Sequence, residues 1–284
     1  MNWLHAVLLG IVEGITEFLP VSSTGHLNIV EKLLGYEINS AGMTAFTAVI
    51  QVGAIIAAII YFWADIVRIV TAWFKGLSNR QARQDPDYTL GWDIIIGSIP
   101  VAVVGLVFKD LIEGALSSLW IIVAALLGWS IAMAVADRRR NLTREMGDVS
   151  IKDALVIGLF QALAPLFPGI SRSGATISAG LFRGYTRETA TRLSFYMGIP
   201  ALVAAGIYEA VTAASDITAA PSGGVAIGWL PTIVATLVSL VVAYFSIAWL
   251  LKFVSSNKFT GFIVYRVVLA AVIIVLLMLD AVTA

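Results

Sequence analysis

The sequence predicts an all-α polytopic membrane protein of six full transmembrane helices plus two re-entrant helix-loop-helix hairpins, related as an inverted-topology repeat. Three observations lead there. Of the 284 residues, 59% are hydrophobic and only 13% charged, about half the charged share of a soluble domain. Apolar stretches close to the roughly 20 residues that a spanning helix needs recur along the chain. Two short segments interrupted by Pro, Gly and Ser, one in each half, match each other in sequence.

Residues 2–19 are apolar but too short to span, and they run into Pro20-Val-Ser-Ser-Thr-Gly25 and a second short helical stretch. This pattern reads as a half-helix that enters the bilayer and returns. It lacks the basic start and small-residue cleavage site of a signal peptide, so it is read as part of the mature fold. Full spans are expected at 44–63, 91–108 and 118–136, the first and third without any charge. Residues 153–167 then repeat the short pattern and end in Pro168-Gly-Ile-Ser-Arg-Ser-Gly174. Spans at 190–211, 227–251 and 260–279 complete the six. Pro200 is tolerated where neighbouring helices re-satisfy the freed backbone, and Arg266 is the one charge in the last span. Residues 1–150 and 151–284 form the two repeats of a single membrane domain, each a hairpin plus three spans.

Orientation follows from the basic residues. If both broken segments return to the side they came from, Arg68, Lys75, Arg80, Arg83, Arg138, Arg139, Arg140, Arg144, Lys152, Arg183, Arg187, Arg192, Lys252 and Lys258 share one side. These are 14 of the 18 Lys and Arg residues. Lys32, Lys109 and the stretch 212–226, which has no Lys or Arg, fall opposite. That places both termini outside. The run Arg138-Arg139-Arg140 reads as a topology anchor, and Trp63, Trp73, Trp120 and Trp249 as interfacial belts.

The self-similarity is specific. Gly10-Ile-Val-Glu13-Gly-Ile-Thr-Glu17-Phe-Leu-Pro20 lies over Gly158-Leu-Phe-Gln161-Ala-Leu-Ala-Pro165-Leu-Phe-Pro168 at an offset of 148, and Ser22-Ser-Thr-Gly25 over Ser171-Arg-Ser-Gly174 at 149. Three spans, an odd number, follow each copy, so the second copy is inverted. The two tips then converge near the midplane, as broken helices of transporters do.

A half-helix starting in a Gly/Ser/Thr turn aims unpaired N–H groups and its positive dipole end inward, where anions bind. Ser22, Ser23, Thr24, Gly25 and His26 form one such start, and Ser171, Arg172, Ser173 and Gly174 the other; Arg172 adds a fork suited to phosphate. Glu13 and Glu17 stand four apart, on one helical face, at a depth where carboxylates are functional by default. They suit a hard divalent cation, Mg²⁺ or Ca²⁺, or a base role. His26 is a candidate acid or phosphoryl acceptor. Gln51 and Tyr265-Arg266 are further polar groups at depth, serving either the site or helix contacts. A formal net charge of zero excludes a basic nucleic-acid reader, and the absence of Cys excludes disulfides and thiolate chemistry.

The stretch Glu13-Gly-Ile-Thr-Glu17-Phe-Leu-Pro-Val-Ser-Ser-Thr-Gly-His26 and the stretch Pro168-Gly-Ile-Ser-Arg-Ser-Gly174 resemble the two signature motifs of the bacterial undecaprenyl-pyrophosphate phosphatases, the bacitracin-resistance family. The resemblance extends through Gln51-Val-Gly53, Ala175-Thr176-Ile177, Ser194-Phe195 and Tyr265-Arg266. One departure is an additional residue between Gln161 and Pro168. The resemblance implies hydrolysis of a C55 isoprenoid pyrophosphate to the monophosphate carrier of cell-wall synthesis, on the outer face of the cytoplasmic membrane. Under it, Glu13 and Glu17 serve metal binding or base catalysis, Ser22, Ser23 and His26 the reacting phosphate, and Ser171, Arg172, Ser173 and Thr176 the pyrophosphate cradle. Expected partners are the lipid pyrophosphate and membrane lipid, with a homodimer as one assembly. The rival reading is a secondary transporter or flippase of an anionic or lipid-linked substrate, because the inverted repeat is a transporter design. A type-2 phosphatidic-acid phosphatase is set aside, since no histidine follows Ser171-Arg172.

Overall fold

A computed structural model of the chain describes residues 1–38, 40–108, 118–213, 217 and 227–282. Lys109 and most of the stretch 212–226, both used in the charge argument, lie outside the described residues. The described fold is all helical: α1 (Trp3–Thr16), α2 (Ser23–Leu33), α3 (Ala41–Tyr61), α4 (Trp63–Ser78), α5 (Pro86–Val107), α6 (Leu119–Asp137), α7 (Ile151–Leu166), α8 (Arg172–Phe182), α9 (Arg187–Ala213), α10 (Trp229–Val254) and α11 (Thr260–Met278). Six of these, α3, α5, α6, α9, α10 and α11, are long and apolar enough to cross a membrane. Each coincides with an expected span, displaced by a few residues at its ends.

The helices of the two broken segments are short. α1 and α2 have 14 and 11 residues, α7 and α8 have 16 and 11. At 1.5 Å per residue none reaches across a hydrocarbon core of about 30 Å. α1 lies along α10 and α7 along α5. Both crossings are tight for the same reason. A Cβ on Gly10 would stand 2.5 Å from the Ala235 carbonyl oxygen, and one on Gly158 2.2 Å from that of Gly97, so only glycine permits these approaches. Gly10 and Gly158 are the residues with which the sequence match begins. Pro165 does not break α7, which continues to Leu166.

The helix α4 was not foreseen in the sequence, which reads as a loop there. It is strongly amphipathic, with Trp63, Val67, Val70, Phe74 and Leu77 exposed along one face and Arg68 paired with Asp65 and Asp87. Its charges interrupt the apolar run that a search for spans looks for, while preserving helical periodicity.

Beyond the ends of the spans, buried Asp153 organises the chain around the start of α7. It accepts hydrogen bonds from Arg144 Nη2 at 2.7 Å, Arg183 Nε at 2.5 Å, Ser150 Oγ at 2.6 Å and the Tyr185 hydroxyl at 2.9 Å. Burial opposes its ionisation, but these donors outweigh that and hold the carboxyl well below the usual carboxylate range. Nearby, Asp137 takes Arg187 Nε at 2.6 Å and the Phe259 amide at 2.9 Å. Arg144, Arg183 and Arg187, counted above only as topology signals, therefore tie α6, α7, α8 and α9 together. Arg138, Arg139 and Arg140 are exposed, as an anchor requires.

Candidate active site

Ser22 and Ser171 cap the short helices α2 and α8. Each sits at positive φ, 76° and 74°, a region non-glycine residues rarely occupy. Each hydroxyl accepts a hydrogen bond from the amide of a glycine, Gly25 at 3.3 Å and Gly174 at 3.2 Å. Strain of this kind persists where surrounding structure enforces it, commonly at functional sites. The two loops carrying it touch. Ser173 Oγ donates to the Leu19 carbonyl at 3.0 Å and also contacts Ser171 Oγ at 3.0 Å.

Glu17 joins the loops chemically. Its Oε2 accepts from Ser23 Oγ at 2.9 Å, and its Oε1 from Arg172 Nη2 at 3.4 Å. One carboxylate thus holds the candidate nucleophile and the candidate phosphate clamp. Arg172 Nη1 donates to the Ser194 carbonyl at 3.3 Å, and its guanidinium carbon lies 6.0 Å from the centre of the Phe18 ring, which itself packs on Phe195. Its Nε is buried without a hydrogen-bond partner. Gly198 makes room for it, since a Cβ there would lie 2.0 Å from Nη1.

The His26 ring is held at both nitrogens. Nδ1 is 2.7 Å from the Ser22 carbonyl oxygen and Nε2 is 2.6 Å from the Tyr265 hydroxyl, with the two rings parallel. A carbonyl only accepts, so Nδ1 carries the hydrogen and, in the neutral ring, Nε2 accepts from Tyr265. This tautomer is assigned from the bonding pattern.

The next residue, Arg266, is fully buried. Its Nη2 donates to the Gly169 carbonyl at 2.9 Å and its Nη1 to the Pro20 carbonyl at 3.4 Å. Each carbonyl stands two residues before a strained serine, Ser22 or Ser171, so one guanidinium ties the two loops together. Its remaining bonds go to Ser130 Oγ and to the Leu126 and Ala125 carbonyls of α6.

The other candidates take varied places. Glu13 is buried one turn from Glu17, with Glu17 and Glu31 as its charged neighbours. Thr176 is fully buried; its hydroxyl donates back onto α8 at the Arg172 carbonyl, 2.9 Å away, and pairs with Ser194 Oγ at 2.6 Å. Thr24 is exposed. Gln161 is buried, donating to the Met197 carbonyl at 3.4 Å and leaving its Oε1 unpartnered. Gln51 is half-buried on α3. Among the described residues, no group of three or more His, Asp and Glu side chains comes together as a ready-made metal cage. Sequence reasoning named Ser194 only within the resemblance, without a role, and missed Gly198 and Glu31; the last, accepting from Thr47 Oγ1 at 3.0 Å, was signalled only as an acidic residue in an otherwise short apolar segment.

The family model described as Bacitracin resistance protein BacA matches residues 6–272. An undecaprenyl-diphosphatase of Cutibacterium acnes is 73% identical over 284 residues, covering 100% of both chains. Undecaprenyl-diphosphatase 3 of Frankia casuarinae is 52% identical over 284 residues, again covering 100% of both. Undecaprenyl-diphosphatase 1 of Streptomyces avermitilis is 50% identical over 277 residues, covering 98% of this chain and 97% of its own.

Proposed function

The chain belongs to the bacitracin resistance protein BacA family, and from that membership and the geometry of its loops we propose how it works. It is an integral membrane phosphatase that hydrolyses undecaprenyl pyrophosphate to undecaprenyl phosphate and inorganic phosphate, recycling the lipid carrier of cell-wall synthesis and conferring bacitracin resistance. The secondary-transporter reading gives way to this membership.

The observation that carries the mechanism is Glu17 bridging Ser23 and Arg172. Ser23 attacks the terminal phosphorus, its proton passing to Glu17 as the Oγ–P bond forms and the bond to the departing undecaprenyl phosphate breaks. Water then cleaves the phosphoserine, its oxygen bonding phosphorus while Ser23 regains a proton, and inorganic phosphate leaves. Arg172, relieved of Glu17 as that carboxyl takes the proton, turns its charge to the phosphate oxygens. His26 orients phosphate or supplies a proton. Its two engaged nitrogens support Ser23 over His26 as nucleophile, because direct attack by Nε2 requires the Tyr265 bond to break first. Ser22, Thr24, Gly25, Ser171, Ser173, Gly174 and Thr176 belong to the two anion-binding helix starts. Acid-quenched enzyme should contain phosphoserine at position 23; phosphohistidine at position 26 would reverse the assignment.

The donor set fits a hard divalent cation, Mg²⁺ or Ca²⁺. Three carboxylates, Glu13, Glu17 and Glu31, are buried, and of these Glu17 pairs with the half-buried Arg172; oxygen donors without a closed cage suit a metal that shares its shell with phosphate. Glu13 and Glu17 would hold it, and when bound it would neutralise the charge of the pyrophosphate.

The arrangement of α1–α2 and α7–α8 as re-entrant hairpins, of 1–150 and 151–284 as inverted repeats, and of both termini outside is part of the same proposal. Four observations support it: helices too short to span, the equivalent strained serines, the equivalent contact glycines, and the reciprocal pairing of α1 with α10 and α7 with α5. The site then opens toward the outer face. In this cysteine-free chain, a Cys placed at position 80 should react from the cytoplasm and one at position 218 from outside; the opposite pattern inverts the scheme. Mass in detergent reads whether the unit is one chain or a homodimer.

A further inference from the structure

An apolar groove on the membrane-facing side of α6 runs up to the second loop. It has a volume of about 440 Å³ and is lined by Ala124, Ala125, Gly128 and Trp129 of α6 and by Phe167 and Ile170. Ala124, Gly128 and Phe167 are exposed, so it is open to the surroundings. A Cβ built on Gly128 meets no heavy atom within 4 Å.

The groove shares atoms with the site. Ile170 immediately precedes Ser171, the strained cap of α8. Ala125, on its lining, and Gly169, beside Ile170, both give their carbonyls to Arg266, which also holds Pro20 of the first loop. Ile122, one residue from Ile121 at the groove's edge, reaches the other way: its Cγ2 lies 3.3 Å from where a Cβ on Gly25 would stand, one residue from His26. The thickness of one helix separates the groove from the reacting groups.

We propose that this groove takes the second and third isoprene units of the polyprenyl chain, beyond the unit that carries the pyrophosphate. The proposal rests on the phosphatase reading above. A pyrophosphate seated between the two loops has a hydrocarbon tail that must leave through an apolar wall, because burying it against charged groups forfeits its transfer free energy. The groove along α6 is the apolar surface whose inner end adjoins a cap of the anion site. Its level also fits. Gly128 is the central residue of the nineteen of α6, about 14 Å from either end, the depth at which the two loops are proposed to meet.

A second groove provides the comparison. About 450 Å³ in volume, it is lined by Ile15, Leu19, Val241, Val242, Phe245, Ser246 and Trp249. Ser246 is seventeen residues into α10, which also starts outside, so this groove falls toward the inner half. Its Leu19 gives a carbonyl to Ser173 and adjoins Pro20, but none of its own lining residues bonds Arg266 as Ala125 does.

Purified full-length protein is assayed on C55, C15 and C5 prenyl pyrophosphates. Gly128→Leu puts a side chain into the first groove at a position whose Cβ meets no heavy atom within 4 Å. It should raise KM for the C55 and C15 compounds on the order of tenfold, the scale of a lost hydrophobic subsite, and leave kcat/KM for the C5 compound unchanged. Ala124→Phe should do the same, and Ser246→Phe in the second groove should change none of the three. A C15 pyrophosphate carrying a diazirine should label 121–129. An unchanged KM for the long chains in both first-groove variants, an equal loss at all three lengths, or labelling of 241–249 instead would overturn the proposal. Absence of phosphate release by the wild-type protein from any of the three would remove the phosphatase reading itself; release with indifferent groove variants removes only the tail site.

Discussion

Ser22 and Ser171 hold the same strained backbone 149 residues apart, φ 76° and 74°, each with its hydroxyl on the amide of a glycine three residues on. The strain and the cap oppose each other energetically. A non-glycine residue in the left-handed region costs about 1–2 kcal/mol, and a serine cap contributes about 1 kcal/mol. Replacing Ser171 by Gly should therefore leave thermal stability within a few tenths of a kcal/mol, whereas Ser171→Ala, which keeps the strain and loses the cap, should destabilise by about 1 kcal/mol. Equal melting temperatures for the two variants would mean the hydroxyl is not acting as a cap.

Arg172 reaches Glu17, Ser194 and the Phe18 ring as a flat, forked cation. A lysine cannot make parallel hydrogen bonds to a phosphate. Arg172→Lys and Arg172→Ala should both lower turnover by about 10²–10³, with the protein still folded by circular dichroism. Near wild-type turnover in the Ala variant removes it from the site.

Tyr265 meets the candidate site at His26, its hydroxyl 2.6 Å from Nε2. Tyr265→Phe should lower kcat/KM by about tenfold, the scale of one hydrogen bond of roughly 1.4 kcal/mol, with little change in melting temperature. The double-mutant cycle distinguishes a positioning role from a packing one. In a His26→Gln background, Tyr265→Phe should cause no further loss, and full additivity would separate the two residues.

Glu13 and Glu17 carry the metal prediction. Excess EDTA should abolish phosphate release, and Mg²⁺ or Ca²⁺ should restore it. Glu13→Gln and Glu17→Gln should each raise the metal concentration giving half-maximal rate. If Glu17→Gln instead lowers the rate at saturating metal without moving that concentration, Glu17 is a base alone; full activity in EDTA rejects the metal.

Asp153 links stability to pH. Its native carboxyl is held below the usual range by Arg144, Arg183, Ser150 and Tyr185 against the cost of burial. A depressed native value stabilises the fold at every pH above the unfolded value of about 4, and that stabilisation is lost as acid approaches the native value. Asp153→Asn should cost about 2–3 kcal/mol at pH 7. In thermal unfolding in detergent, the gap between wild type and variant should be equal at pH 7 and pH 5 and narrow at pH 3. A gap that is constant at all three would show the carboxylate charge to be irrelevant.

Much of this molecule was legible without coordinates, because membranes impose simple rules. A span declares itself by apolar length, and a helix too short to span by the Pro, Gly and Ser where its apolar run stops. The caps at Ser22 and Ser171, the glycines at 10 and 158 and the two motifs are all local features, so residue order alone marked them. α4 escaped because its charges hide an apolar face that only helical geometry assembles.

The partnerships within the site were another matter. Glu17 meets Arg172 across 155 residues, His26 meets Tyr265 across 239 and Arg266 reaches Pro20 across 246. Spacing carries no information over such separations, since loop closure costs little extra as the intervening chain lengthens. Residue order therefore determined the spans, the motifs and the list of reactive groups. Packing of α1 on α10, α7 on α5 and α11 on α6 decided which carboxylate serves which serine, which hydroxyl holds the histidine, and that one buried arginine ties both loops together.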